Sequence, residues 1–169
     1  MYHKPLAYGV QANDIKRIAQ NNTNLNSTEV KQELMKILNE THNLVRRDLI
    51  KWIKLKVPKM TGRLRRDLLK HLMTSYVSNC ILRVYLQTNI DYAKRVNAFQ
   101  TYNVRHRGKR IKYRGKVIIL NDSSAVGHFF DALVDIAIKL ITGHLDRTKR
   151  RHSSTRKLKY NEMKIKKLW

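Results

Sequence analysis

Few residues in this chain have the types and spacing that catalysis needs. The seven histidines, His3, His42, His71, His106, His128, His144 and His152, form no HExxH arrangement, the helical pairing that suits a catalytic zinc. Cys80 is the only cysteine, so no intrachain disulfide and no cysteine-rich zinc site can form. It adjoins a strand beside Ile81, where a small buried hydrophobe is the ordinary role and nothing nearby marks a nucleophile. Asp48 and Asp67 flank arginines and read as charge balance. A nuclease could use acids such as Asp48, Asp67 or Asp91 around Mg²⁺, but the twelve acids are scattered, and metal chemistry wants several converging. No glycine-rich phosphate loop of either common type occurs. The expectation is a protein that is not an enzyme, with no catalytic, cofactor-binding or metal residues and no cofactor.

Cations carry more information. The 169 residues hold 36 Lys and Arg against 12 Asp and Glu, a formal charge of +24. Such a balance calls for an acidic partner: nucleic acid, an acidic protein face or a membrane surface. Arg63, Arg65 and Arg66 follow Thr61-Gly62 and are expected at the surface. Residues 103 to 120 hold seven cations and no acid. Within them Arg105, Arg107, Lys109, Arg110, Lys112, Arg114 and Lys116 are candidates for phosphate contact, since a phosphate footprint needs many cations within reach of a regular backbone charge. Tyr102, Tyr113 and Tyr160 are candidates for base stacking. The RNP strand pattern, the GXXG loop and zinc-finger spacing are all absent, so no familiar binding module is present.

The elements that must position these groups follow from period. Val30, Leu34, Ile37, Leu38, Leu44, Val45, Leu49, Trp52 and Ile53 recur every three or four residues and predict a helix from Glu29 to about Lys54. Asn26 with Glu29 has capping-box spacing, with Ser27 and Thr28 as alternative caps. Val57-Pro58 ends it. Leu64, Leu68, Leu69 and Leu72 predict a short second helix. The period then becomes two: Leu82, Val84 and Leu86 alternate with Arg83, Tyr85 and Gln87, a half-buried strand. Met73, Ser75 and Val77 alternate more weakly, which suggests a hairpin turning near Ser78-Asn79. Two further short strands join near Arg114-Gly115. Val126, Phe129, Phe130, Leu133, Ile136, Ala137, Leu140 and Ile141 predict a last helix, with Ser123 or Ser124 as cap and Gly143 as terminator.

The fold class expected is α+β: a long N-terminal helix and a C-terminal helix packed on a small antiparallel sheet. Residues 1–28 read as an arm with one short helix near DIKRIA, 29–143 as the domain, and 144–169 as a basic tail. A chain of this length buries roughly two thirds of its extended surface, enough for a core without staples. No apolar run reaches the roughly 18 residues of a spanning helix, and the opening residues lack the apolar core of a secretory signal. A soluble protein of a reducing compartment, or of a particle assembled in one, is expected, with no membrane partner. In the tail, Leu158, Tyr160, Ile165, Leu168 and Trp169 are spaced among lysines, as in a segment that docks into apolar pockets between subunits.

Two stretches carry a resemblance. VPKMTGRLRRDLLKHL (57–72) followed by ILRVYLQTNIDYAKRVNAF (81–99) resembles the HK97 gene-10-like tail-completion and head–tail joining proteins of tailed bacteriophages. Pro58, Thr61, Gly62, Leu64 and Arg65 fall on that family's Pro…Thr-Gly-x-Leu-Arg signature. Thr88, Tyr92, Ala93 and Val96 fall on its Thr-x-x-x-Tyr-Ala-x-x-Val signature, and Phe99 stands for the family's following Phe, one residue later than the family places it. Gln87 stands where the family has glycine, and Ala98-Phe99-Gln100 replaces Glu-Phe-Gly. The resemblance implies a structural virion protein: a neck or tail-completion subunit forming a six- or twelve-fold homo-oligomeric ring at the head–tail junction. It implies portal, adaptor, capsid or tail proteins as partners, with packaged double-stranded DNA as a further candidate. It implies location in the virion neck or tail after assembly in the host cytoplasm. The alternative from composition is an RNA- or DNA-binding protein, such as a ribosome-associated one.

Overall fold

The structure, a computed structural model, describes residues 2–22, 25–58, 62–97, 109–113, 116–120, 128–155 and 158–168. Its elements in chain order are β1 (Tyr2–Gly9), α1 (Ala12–Gln20), α2 (Ser27–Lys56), α3 (Arg63–Leu72), β2 (Tyr76–Ser78), β3 (Ile81–Thr88), α4 (Ala93–Asn97), β4 (Lys109–Tyr113), β5 (Lys116–Leu120), α5 (Phe129–Thr155) and β6 (Lys166–Lys167). They form the expected α+β fold, with the helices packed on a small antiparallel sheet.

Helix α2 begins as its spacing predicts. The Asn26 side chain accepts from Glu29 N–H at 2.9 Å, and the Glu29 carboxylate accepts from Asn26 N–H at 2.9 Å. This reciprocal pair satisfies two of the donors that a helix start leaves open. Val30, Leu34, Ile37, Leu38, Val45, Leu49 and Ile53 form its buried stripe. That stripe meets the inner face of the sheet, where Leu6, Tyr8, Val10, Leu82, Val84 and Leu86 are all buried.

The sheet has the order β2-β3-β1-β6, antiparallel throughout. Strand β1 pairs with β3 over its whole length, from Tyr2 opposite Thr88 to Gly9 opposite Ile81. The segment read as a terminal arm is therefore a central strand. Its pattern was hidden because Leu6, Ala7, Tyr8 and Val10 are all buried, and so short a run shows no alternation. Gly9 is required by close approach: a Cβ there would lie 2.4 Å from the Cys80 carbonyl oxygen. Asn79 and Cys80 both have positive φ, 49° and 58°, the type I′ geometry that suits a two-residue hairpin. The turn is thus one residue later than Ser78-Asn79, and Met73 and Ser75 precede β2 rather than join it.

The tail is also part of the fold. Helix α5 passes Gly143 and runs to Thr155, because its buried side continues with His144, Leu145 and Thr148. An added Cβ at Gly143 would meet nothing within 4 Å, so this glycine marks no turn and no close approach. Beyond the helix, Leu158 and Met163 are buried in the common core. Lys166 and Lys167 pair with Gly9 and Tyr8, and Leu168 N–H donates to Ala7 C=O at 2.9 Å. Neither 29–143 nor any segment cut at Gly143 is therefore a complete unit. The caps expected at Ser123 and Ser124 lie outside the described residues, and α5 begins at Phe129.

If the C-terminal segment is built into the core, one apolar side chain within it must carry measurable stability. Leu158→Ala should lower the unfolding free energy by about 2–5 kcal/mol, the usual cost of emptying a fully buried leucine site. Urea unfolding followed by circular dichroism measures this; a loss under about 0.5 kcal/mol would mean a surface-like site.

Candidate interaction surfaces

The two stretches of the resemblance meet at one carboxylate. Gly62 precedes α3 with φ 75°, a left-handed conformation that favours glycine. It turns the chain so that Leu64, Leu68 and Leu72 face inward, all buried. One turn on, the Asp67 carboxylate accepts from the Thr88 hydroxyl at 2.7 Å and from Asn89 N–H at 2.9 Å. His71 Nε2 stands 3.8 Å from its other oxygen. Asp67 thus ties the end of β3 to α3, a role more specific than charge balance. Thr88 Oγ1 accepts from Ile90 N–H at 3.3 Å, and Ala93 N–H donates to Ile90 C=O at 2.9 Å. Both bonds shape the turn into α4.

Pro58 and Ala93 are buried and Tyr92 packs half-buried against the core. Arg65 departs from its expected surface role: its Nε donates to Val57 C=O at 2.6 Å, closing the end of α2 where proline stops the ladder. The backbone of Val96 lies in α4; Thr61, Phe99 and the Val96 side chain are outside the described residues. Asn97, which sequence reading did not single out, links the second stretch to α5. Its Oδ1 accepts from Phe130 N–H at 2.8 Å and its Nδ2 donates to Asp131 at 3.2 Å. It caps that helix from 33 residues away in sequence, which no local capping pattern can reveal.

Helices α2 and α5 pack antiparallel along a seam with two matched histidine–carboxylate contacts. His144 Nε2 lies 2.9 Å from Asp48 Oδ2, and His152 Nε2 lies 3.0 Å from Glu40 Oε2. Arg47 hydrogen-bonds Asp48 at 3.0 Å, and Arg151 reaches Glu40. The hydrogen bond from Arg47, then that from His144, holds the Asp48 carboxyl below the ordinary carboxylate range despite partial burial. Burial pushes the Cys80 thiol up, so this buried cysteine stays protonated at neutral pH. Among the described residues, no group of three or more His, Cys, Asp or Glu could hold a metal ion.

Of the basic candidates, Lys109, Arg110 and Lys112 lie on β4 and Lys116 on β5, an antiparallel pair running from Lys109 opposite Leu120 to Tyr113 opposite Lys116. Arg105, Arg107, Arg114 and Tyr102 lie outside the described residues. Tyr160 is engaged: its hydroxyl bonds Asp146 at 3.0 Å and Lys149 Nζ sits 4.2 Å from its ring centroid. The residues expected to dock on neighbours turn inward on this chain. Leu158 is buried, and Tyr160, Ile165 and Leu168 are half-buried; Trp169 lies outside the described residues. Spacing showed a docking segment but not its receptor, since an apolar pocket of the same chain and of another chain make the same demand.

The acids are largely committed within the chain. Asp14, Glu29, Glu33, Glu40, Asp48, Asp67, Asp131, Asp146 and Glu162 each contact a cation, a backbone N–H or a polar side chain. With most of the twelve acids committed in this way, only an acidic partner or counter-ions can balance the surplus cations.

Two measurements test these contacts. Asp67→Ala should cost about 1–3 kcal/mol by leaving the Thr88 hydroxyl and Asn89 N–H without their acceptor, and adding Thr88→Val should cost less than it does alone. A double-mutant cycle in urea reads both. For Asp48 the folded pKa is depressed, so its contribution is complete above the ordinary carboxylate value of about 4 and is lost as pH falls through the lower folded value. Asp48→Asn should therefore flatten the acid limb of the stability–pH curve and leave its shape at neutral pH unchanged.

No protein-family model, no curated protein and no solved structure matches this chain, so its functional reading rests on the residues and contacts above.

Proposed function

We propose that this protein is a structural virion component: a neck or tail-completion subunit that closes into a homo-oligomeric ring at the head–tail junction of a tailed phage. The observation that carries the reading is the meeting of the two family-like stretches. The helix opened by Gly62 and the strand end at Thr88 are tied through Asp67, so residues 26 apart in sequence, Gly62 to Thr88, act as one structural unit. The preceding long helix and the following α5 stand in the order that the resemblance implies.

Charge supports an assembly role. A chain at +24 whose acids are largely engaged internally repels its own copies at low salt unless acidic surfaces or DNA intervene. Portal, adaptor, capsid or tail proteins with acidic faces are the partners proposed, and such contacts give register and salt sensitivity. Rings arise from heterologous contacts, one face of each copy binding a different face of the next. The β4–β5 hairpin, with its basic sequence, is the proposed element toward packaged duplex DNA. Catalysis has no place in this reading.

Native mass spectrometry and negative-stain imaging, at low and physiological salt and with an acidic portal-type partner added, test it. Six- or twelve-fold rings are expected in at least one of these conditions. A stable monomer in all of them would overturn the reading.

A further inference from the structure

The outer face of the sheet has a composition that neither the helices nor the neck reading uses. Strand β3 alternates strictly, with Leu82, Val84, Leu86 and Thr88 buried and Ile81, Arg83, Tyr85 and Gln87 half-buried. The second set faces away from the helices. Register brings its neighbours: Tyr76 lies opposite Arg83, Pro5 opposite Tyr85 and His3 opposite Gln87. The Tyr76 and Tyr85 rings are 6.1 Å apart between centroids and tilted by 35°. The Arg83 guanidinium stands 5.5 Å from the Tyr76 centroid, and its Nη1 donates to Ser78 Oγ at 3.2 Å. Tyr76 remains 43% exposed, one of three large hydrophobic side chains left so open among the described residues. Another, Met73, lies just before it in the chain and receives Arg46 Nη2 at 2.8 Å.

The electrostatics of this face are one-sided. No residue of β1, β2, β3 or β6 is an acid, and register places the cations Arg83 and Lys166 on this face, with Lys4 and Lys167 opposite the inward Leu86 and Tyr8. Asp67 is engaged by Thr88 and Asn89 at the far end of β3, and Asp14 stands 3.9 Å from Lys166. At the end near Gln87, the imidazole of His3 and the Gln87 amide hydrogen-bond each other at 3.0 Å, groups that can also meet a base edge.

We propose that this face binds single-stranded nucleic acid, stacking unpaired bases on Tyr76 and Tyr85 while Arg83 and Lys166 attract the phosphates. Stacking on aromatic side chains combined with a cationic track is how single strands are held without sequence preference. A duplex conceals its base faces and can be held here by charge alone. A docking protein would need to bring acids to an aromatic strip that has none, whereas a single strand supplies negative charge and π faces together. The platform does not rest on the neck reading and would stand on a monomer.

Fluorescence anisotropy with labelled oligo-dT, oligo-rU and a DNA duplex of equal length tests this on the full chain. The double variant Tyr76→Leu, Tyr85→Leu keeps the net charge. It should weaken binding of one or both single strands about tenfold or more for each base that loses its ring, with the salt slope and duplex binding unchanged. The dT and rU arms tell DNA from RNA as the preferred strand. Unchanged single-strand affinity would overturn the proposal, and so would equal losses on duplex and single strand. If the double variant fails to fold by circular dichroism, photocrosslinking of halogenated oligonucleotides to the native chain decides. Adducts on the peptide spanning Tyr76 to Tyr85 support the platform; adducts confined to other segments overturn it.

Discussion

The pairing of β1 with β3 is the constraint on which the rest depends. It joins Tyr2 to Thr88 and Gly9 to Ile81, closing a loop that contains α1, α2, α3 and β2. Closing so long a loop costs conformational entropy before any contact returns it. The return comes from the inner face, where Leu6, Tyr8, Leu82, Val84 and Leu86 bury together against α2. Once β1 is in place its other edge is open, and β6 takes part of it through Tyr8 and Gly9. Pro5 sits on this same outward side, by parity with Ala7, which accepts from Leu168. Proline is tolerated there because the missing N–H removes nothing from the ladder to β3.

That pairing explains why both ends of the chain belong to the fold. The C-terminal segment must return past α1 and α5 to reach β1, and on the way it buries Leu158 and Met163. Glu162 fastens the passage by accepting from Lys159 N–H at 3.1 Å and from Asn22 at 3.3 Å. The same return allows α5 to extend beyond Gly143, since its later turns have α2 to lean on. Glu40 meets His152 and Asp48 meets His144; each pair has the same summed residue number, as an antiparallel seam in one register requires.

Charge and fold are linked through the few acids. The engaged carboxylates hold the structure at separate points, with Glu29 in a cap, Asp67 at a strand end, Asp48 and Glu40 along the seam, and Asp146 on Tyr160. A sheet without acids then presents tyrosines beside arginine on its open side. Both proposed partners, acidic proteins at a particle joint and single-stranded nucleic acid at the sheet, draw on this imbalance. They differ in what must accompany the charge: shape at a protein contact, flat unpaired bases on the tyrosines.

Local chemistry in the sequence was enough for several elements. The stripe from Val30 to Ile53, the Asn26–Glu29 cap, the stop at Pro58 and the alternation from Leu82 to Leu86 each rest on neighbours within a few residues, so period and capping express them directly. The α+β class follows from their order. Distance-dependent features were not legible. A strand whose inward and outward residues are both buried, as at Leu6 to Val10, has no period to read, and a cap such as Asn97 on α5 exists only after folding. Gly143 looked like a helix end because termination by glycine is a local rule, and tertiary packing on α2 outweighs its cost of about 1 kcal/mol. The grouping of Tyr76, Arg83 and Tyr85, and the inward seating of Leu158 and Ile165, were decided by the register of strands and the path of the chain. Sequence states which side chains need burial or a partner; only the closed sheet decides which ones find it within the same molecule.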